Sequence, residues 1–178
     1  MKSAMALFGI LLLVSCGATV GVDYDEQIDF SEYTTYNFYP SIKSGLNELD
    51  DKRISKIADS LLQMKGLTRS EDPQLFVNFF ASEVLTNSRN TIGVGVGGGG
   101  RNVGVGVSGG IPIGGKIINQ QLTVDLIDVA RDDLVWQAVA DGEYKEKASP
   151  KQKEAYYNTV LSKILKKYPP GKNKREKK

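Results

Sequence analysis

The pattern of apolar and polar positions predicts two helices separated by strands. Apolar residues recur with the 3.6-residue period of a helix after Asp50 or Asp51, either of which can cap it, and again after Ser149-Pro150, where Gln152 completes a capping box. The first helix should end at Lys65-Gly66 and the second before Pro169-Pro170. The apolar stripes are Ile54, Ile57, Ala58, Leu61 and Leu62 in the first helix and Ala155, Tyr156, Val160, Ile164 and Leu165 in the second.

Strands are predicted where apolar residues run together or alternate with polar ones. Tyr33–Tyr39 is rich in aromatic and β-branched residues and stops at Pro40, and Leu75–Phe80 is the apolar run of a central strand. Gln121–Asp128 and Leu134–Gly142 form a later pair joined by a short turn. The first strand, helix and second strand imply a right-handed crossover with parallel pairing. The order of elements predicts an α+β fold, a two-layer sandwich with a mixed β-sheet and two helices on one face.

A glycine-rich segment lies between the second strand and the later pair. It contains twelve glycines from Gly93 to Gly115, and its alternation with period two around a Gly/Asn turn predicts a β-hairpin insertion. Glycine weakens a strand unless another surface approaches closely, so two interpretations stay open: a passive insertion, or a valine face that docks on a partner protein or lipid. The possible partner-binding residues are Val94, Val96, Val103, Val105 and Val107.

The first sixteen residues predict a bacterial lipoprotein signal. Lys2 precedes a short apolar segment that ends at Leu13-Val14-Ser15-Cys16, and this segment falls well short of the roughly 20 apolar residues that span a membrane. We expect a cleaved signal peptide over residues 1–15, lipidation of Cys16 and a tether over residues 16–22. The alternative is an ordinary signal peptide followed by an unrelated cysteine. Because Gly17 rather than an aspartate follows the cysteine, we expect a periplasm-facing anchor in the outer membrane.

A single domain is expected over residues 23–170, followed by a basic tail over 171–178. In this tail, Glu176 stands among five basic residues, Lys172, Lys174, Arg175, Lys177 and Lys178. Such a charge run is typical of a disordered, solvated segment, and its alternative role is a weak contact with anionic lipid or envelope polymer.

The composition excludes several classes of function. The sequence contains no histidine and a single cysteine, which lipidation would consume, so histidine-based catalysis, disulfides and cysteine nucleophiles are not expected. Without Lys2 and the tail, acidic residues outnumber basic ones, which argues against a nucleic-acid partner. Gly95–Gly100 matches G-x-G-x-x-G, but alternating valines follow it instead of a helix. No nucleotide or other cofactor is therefore expected.

Three groups of side chains remain as candidates for chemistry or recognition. Asp125 and Asp128 are the best carboxylate pair for an Asp-dependent hydrolase acting on an envelope polymer, although hydrogen bonding within the hairpin that includes Trp136 is the favoured role. A glycan-binding module would use stacking aromatic residues, for which the candidates are Tyr33, Tyr36, Phe38 and Tyr39. Asp23, Asp25 and Asp29 are interpreted as turn and cap formers rather than metal ligands.

These segments together resemble a bacterial envelope family known as domain of unknown function 4136. The resemblance covers about residues 22–170 and implies a lipoprotein or secreted envelope protein, often with a glycine-rich insertion, but it brings no established activity. It is carried by Val22–Asp25, Asp29–Tyr36, Met64–Leu67, Asp72–Leu75, Gln121–Asp128, Leu134–Trp136 and Lys167–Pro170.

The sequence therefore predicts a lipid-anchored protein of the cell envelope that acts as a non-catalytic binding or assembly module. Its specificity is left open by the residues, and its partners are the membrane through the lipid anchor and an envelope protein. The hydrolase and the glycan-binding module are the two alternatives.

Overall fold

The structure is a computed structural model that describes residues 19–87, 91–93, 110–112 and 115–171. The two helices are α1 (Glu48–Met64) and α2 (Pro150–Leu165), and a short 3-10 turn spans Phe30–Glu32. The strands are β1 (Val20–Tyr24), β2 (Thr35–Phe38), β3 (Thr68–Arg69), β4 (Leu75–Asn87), β5 (Thr91–Gly93), β6 (Gly110–Pro112), β7 (Lys116–Asp128) and β8 (Asp133–Lys145). None of the helices in these ranges is long and apolar enough to cross a bilayer.

Six strands form one mixed sheet in the order β1-β8-β7-β4-β2-β3. β2 runs parallel to β3 and β4, with α1 in the crossover, whereas β4, β7, β8 and β1 pair antiparallel. The predicted α+β class is confirmed. The predicted parallel pairing of the strand over Tyr33–Tyr39 with the strand over Leu75–Phe80 is also confirmed, and these strands are β2 and β4. β5 and β6 pair separately, with Ile92 opposite Ile111, at the base of the predicted hairpin insertion.

The register of the sheet places its apolar residues on one face. Val77 of β4 lies opposite Leu126 of β7, which lies opposite Trp136 of β8, and in the next row Phe79 and Val124 are aligned in the same way. These residues share one buried cluster with helix residues such as Ile54 and Leu62 of α1 and Tyr157, Leu161 and Ile164 of α2. Each fully buried large apolar side chain contributes about 1.5–3 kcal/mol. Both helices thus cover the same face, here called the helix face, and the opposite one is called the open face.

Local capping signals explain where the helices begin. Ser149 and Gln152 form the predicted capping box at the start of α2, with Pro150 as its first residue. The prediction for α1 was wrong, because Asn47 caps it: the Asn47 side chain accepts hydrogen bonds from the backbone N–H groups of Leu49 and Asp50. Asp50 instead lies inside the first turn and is buried against α2.

The domain begins earlier than predicted. Val20–Tyr24 forms the edge strand β1, which pairs with β8 from Ala140 to Trp136, whereas the sequence analysis assigned residues up to 22 to a tether. Val20 and Val22 alternate with Gly21 and Asp23 and pack against the core cluster, so burial of their side chains recruits this segment into the sheet. Gly17 and Ala18 alone separate Cys16 from Thr19, the first described residue.

Three strands continue past the edge of the six-stranded part of the sheet. Val20, Ala140, Leu122 and Ala81 lie in one row, and β4, β7 and β8 run on beyond it until Asn87 pairs with Lys116. This three-stranded extension, residues 82–87, 116–121 and 141–145, is called the ribbon. Both helices begin at the end of the sheet that carries the ribbon, called the ribbon end. α2 ends near the opposite end of the sheet, called the far end, where Tyr168 packs on Phe30 and Trp136.

Candidate functional site

The open face of the sheet is a candidate binding surface. Phe80 is 43% exposed there, in clear contrast to the adjacent Phe79 on the helix face, which is 1% exposed. Tyr39 packs edge-on against Phe76, with ring centroids 5.5 Å apart, and is itself partly exposed. Neither helix covers these aromatic side chains, which belong to β4 and to the end of β2.

A hydrogen-bonded polar group lies at the centre of this face. Asp125 of β7 is buried between its neighbours on β4 and β8. Its Oδ1 accepts a hydrogen bond from Gln137 Nε2 at 2.8 Å, and its Oδ2 accepts a longer one from Asn78 Nδ2 at 3.4 Å. Both carboxylate oxygens are therefore engaged by neutral amides of the same sheet. The arrangement holds three side chains in place across three strands.

A second polar cluster lies at the far end, beside a cleft of about 580 Å³. Asp128 Oδ2 accepts hydrogen bonds from Tyr33 Oη at 2.6 Å and Arg131 Nη2 at 2.9 Å, while its Oδ1 accepts one from the Arg131 backbone N–H at 2.9 Å. Arg131 Nη2 also donates to Tyr33 Oη at 2.9 Å. The cluster ties the loop before β2 to the turn between β7 and β8.

The protonation states of this second cluster are fixed near neutral pH. Burial disfavours the charge on Asp128, but hydrogen bonds from Tyr33 and Arg131 outweigh it and lower the pKa of Asp128 to about 2. Burial, together with the hydrogen bond to Asp128, raises the pKa of Tyr33 to about 12. Neither group exchanges a proton readily near pH 7, so the cluster acts as a structural latch rather than as an acid–base pair.

The carboxylate pair of the hydrolase alternative is not assembled. Asp125 lies opposite Asn78 on the open face, whereas Asp128 lies opposite Leu75 on the helix face. Residues three apart in a strand point to opposite faces, so the two side chains are separated by the sheet itself. The prediction of a carboxylate pair was wrong. The expected hydrogen bonding within the hairpin that includes Trp136 is seen for Asp125 with Gln137 and for Asp128 with Arg131, and Asp128 also binds Tyr33 outside this hairpin.

The predicted aromatic platform is also divided. Tyr36 is completely buried on the helix face and donates to Asp59 Oδ1 at 2.9 Å, and Phe38 stacks near it under Arg69. Tyr33 belongs to the latch at the far end. Tyr39 is the one member of the predicted set on the open face, where it packs on Phe76. The sequence around β2 places aromatic residues on both faces of the sheet, and the prediction assigned them to a single surface.

The remaining predicted residues have simpler roles or lie outside the described ranges. Asp25 and Asp29 each accept a hydrogen bond from a backbone N–H two residues ahead, as expected for turn and cap formers. The same expectation was wrong for Asp23, which lies within β1 opposite Gln137. Among the described residues, no group of acidic side chains is arranged to hold a metal ion. Cys16 and the five valines of the insertion, Val94, Val96, Val103, Val105 and Val107, lie outside the described ranges.

Sequence reasoning missed Phe80 as a surface residue and Arg131 as part of the latch. The even-numbered positions of β4 carried the signal for Phe80, since Phe76, Asn78 and Phe80 alternate with Leu75, Val77 and Phe79. No local signal pointed to Arg131, because its partner Tyr33 is 98 positions away in the sequence.

Comparison with known proteins supports the fold. A family described as domain of unknown function (DUF4136) matches residues 20–170. No curated protein matches the chain. A PDZ domain protein from Parabacteroides distasonis is similar in structure, with a TM-score of 0.52 and 16% identity over 87% of this chain. The match spans 37% of that longer protein.

Two further solved structures are more distant. The PelC dodecamer from Paraburkholderia phytofirmans has a TM-score of 0.48 and 15% identity, covering 83% of this chain and 94% of PelC. A neuraminyllactose-binding hemagglutinin homologue from Helicobacter pylori has a TM-score of 0.41 and 13% identity, covering 78% and 86% of the two chains. At these identities the likeness concerns the fold alone.

Proposed function

The chain belongs to the DUF4136 family, and we propose that it is a lipid-anchored protein of the cell envelope whose domain is a non-catalytic binding or assembly module. In this proposal Cys16 carries the lipid, the domain faces the periplasm from the outer membrane, and the open face contacts a protein partner of the envelope. The partner is unidentified, and the experiments below are designed to find it.

The one-sided covering of the sheet is the observation that carries this proposal. The helices bury the helix face, while the open face presents Phe80, Phe76 and Tyr39 around a polar centre that is already hydrogen-bonded. Aromatic side chains supply much of the binding energy at protein interfaces. The hydrogen bonds of Asp125 with Asn78 and Gln137 hold these side chains in place, so less conformational entropy is lost when a partner binds.

In-cell photo-crosslinking tests the binding surface directly. A photo-crosslinking amino acid at Ser82, which is exposed on the open face, should trap a defined envelope protein, and Phe80→Ala should weaken that crosslink. Ser60 is the matched control, since it is an exposed serine on α1. Equal trapping from Ser60 and Ser82, or no specific product from Ser82, would contradict a partner on the open face.

Mass spectrometry tests the anchor. The mature protein should begin at an acylated Cys16, and Cys16→Ser should release the full chain from the membrane fraction. An intact protein with an unmodified cysteine at its N-terminus would contradict the lipid anchor and leave the open-face proposal standing on its own.

Glycan binding is the second candidate, because Tyr39 packs on Phe76 and Phe80 is exposed on the same open face. Sugar rings stack on exposed aromatic side chains of this kind. Purified envelope glycans should then be retained by the wild-type protein and lost with Tyr39→Ala and Phe80→Ala. Retention that is insensitive to both substitutions would remove this candidate.

A further inference from the structure

The peptide that links Cys16 to the domain is shorter than the ribbon. Residues 16–18 link Cys16 to Thr19, and three residues span at most about 10 Å when fully extended. Thr19 bonds to Asp141 at the base of the ribbon, and five more rows lead from there to the row of Asn87 and Lys116. Five strand residues rise about 17 Å. A lipid attached at Cys16 therefore brings the ribbon to the depth of the membrane surface.

The ribbon end carries exposed aliphatic side chains on both of its faces. Val84 on the open face is 58% exposed, and Leu85 on the helix face is 49% exposed. Their cross-strand neighbours include Ile118, opposite Leu85, and Ile117, opposite Thr86. Water on both sides of a strand favours polar residues, whereas aliphatic side chains on both sides fit an environment that is partly apolar.

The outer end of the ribbon carries a small excess of basic residues. Among the described residues there, Lys116, Lys145 and Lys147 outnumber the acidic ones by three to two. Lys145 and Lys147 lie beside Lys116, because the Glu146 backbone N–H bonds to the Lys116 carbonyl oxygen. Glu143 and Glu146 are the acidic residues of the same strand end, and Glu83 and Asp141 lie nearer the base of the ribbon. The far end carries Asp25, Glu26, Asp29, Asp132 and Asp133 in its loops, beside Arg131, Lys166 and Lys167.

We infer that the ribbon is a membrane-contact element that lies against anionic lipid headgroups of the bilayer that holds the anchor. Val84, Leu85 and Ile117 enter the boundary between headgroups and acyl chains, and Lys116, Lys145 and Lys147 neutralise the lipid phosphates. This inference rests on the proposed lipidation of Cys16. It orients the domain with the ribbon towards the membrane and with the latch and the end of α2 directed away from it.

Fluorescent labelling of the acylated full chain tests the orientation. Acylation consumes the single native cysteine, so Thr86→Cys introduces one free thiol at the ribbon end, and Ser60→Cys introduces one on α1 as the matched control. In vesicles of phosphatidylcholine with 30 mol% phosphatidylglycerol, quenchers attached to lipid should reduce the emission of an environment-sensitive dye at residue 86 several-fold and leave the dye at residue 60 unchanged. Equal, weak quenching at both positions overturns the inference.

Removal of two lysines tests the electrostatic part. In the Cys16→Ser full chain, Lys116→Gln with Lys145→Gln should lower partitioning onto the anionic vesicles about twentyfold, since each basic residue near such a surface contributes about fivefold. Lys166→Gln with Lys167→Gln at the far end is the matched control and should have little effect. Equal effects of the two double substitutions overturn the assignment of the ribbon as the lysine-bearing contact.

The outcomes distinguish a failure of the proposed lipid anchor from a failure of the ribbon inference. If Cys16 carries no lipid, the proposed anchor fails and the labelled protein binds the vesicles only as weakly as the Cys16→Ser chain. If the protein is acylated and retained but residue 86 stays in water, the ribbon inference fails alone. A dye at residue 86 that is shielded in native envelope membranes but not in vesicles also overturns it, in favour of a protein neighbour.

Discussion

The carboxylate of Asp50 is the centre of the contact between the two helices at the ribbon end. It is 1% exposed and accepts hydrogen bonds from Asn47 Nδ2, Arg53 Nη1 and Lys153 Nζ, each at 2.6 Å. Lys153 belongs to α2 and also lies over the ring of Tyr144, near the base of the ribbon. Asp50→Asn keeps the size of the side chain but leaves two cations without their counter-charge.

The expected cost follows from the burial of this ion pair. Removing one partner of a buried pair destabilises a protein by about 3–5 kcal/mol. Because Arg53 and Lys153 each keep about a fifth of their side chains in water, they regain part of their hydration, and we expect the lower limit, about 3 kcal/mol. For a domain of this size, that loss lowers the Tm by about 6–12 °C.

The pH dependence of stability has a definite sign. Burial opposes the charge on Asp50, but hydrogen bonds from Lys153, Asn47 and Arg53 outweigh it and lower its pKa below the ordinary 3.8. The stabilisation is therefore fully present above the pKa of the unfolded chain and is lost as the pH falls through the lower pKa of the folded protein. Asp50→Asn should remove this part of the acid dependence.

Urea unfolding followed by circular dichroism, repeated between pH 2 and pH 7, measures both effects. Glu48→Gln is the matched control: it is also a carboxylate-to-amide change in the first turn of α1, but its ion pair with Lys52 is exposed and should contribute nothing measurable. Lys153→Met added to Asp50→Asn should recover about 1 kcal/mol or more, because one orphaned cation is removed. If Asp50→Asn behaves like Glu48→Gln, the reasoning on the buried pair is wrong.

Three more predictions test the fold and the latch. Phe79→Ala should cost about 3–5 kcal/mol in urea unfolding, whereas Phe80→Ala should cost less than about 1 kcal/mol, and similar values for both would contradict the assigned faces of β4. Tyr33→Phe removes the hydroxyl that donates to Asp128, so the pKa of Asp128 should rise from about 2 towards its ordinary value. Acid unfolding, followed by circular dichroism, should then begin at a higher pH. An unchanged acid transition argues against the latch. Gly142→Ala places a Cβ 2.7 Å from Tyr156 Oη and should lower the free energy of unfolding by about 1–3 kcal/mol, while Gly21→Ala meets no atom within 4 Å and serves as the control that should change little.

Local signals in the sequence were sufficient for α2 and for the central strands. The capping box at Ser149 lies within four residues and needs no distant partner. The start of α1 was harder to predict, since Asn47, Asp50 and Asp51 are all residue types that cap helices. The choice among them depends on Lys153, which is 103 positions from Asp50 and draws it into the helix contact.

Distant pairing explains what the sequence did not reveal about the sheet and the site. β1 offers two valines in five residues, and its register is set by β8 at the other end of the chain. β4 continues past Phe80 through a mixed polar and apolar segment, because β7 pairs with it as far as Asn87. The separation of Asp125 from Asp128 was available from strand periodicity alone, whereas the contact of Tyr33 with Arg131 required the folded chain.

The pairing of β1 with β8 also orders events during biogenesis. β1 is synthesised first, yet its partner residues, Trp136 to Ala140, are made among the last of the domain. Contacts between such distant segments form slowly, because a long loop must close before they stabilise the fold. β1 therefore stays unpaired until β8 has been made. In the lipoprotein proposed above, an enzyme that processes the chain at Cys16 before that moment would act while the neighbouring strand is still free, and pairing with β8 would then close the edge of the sheet.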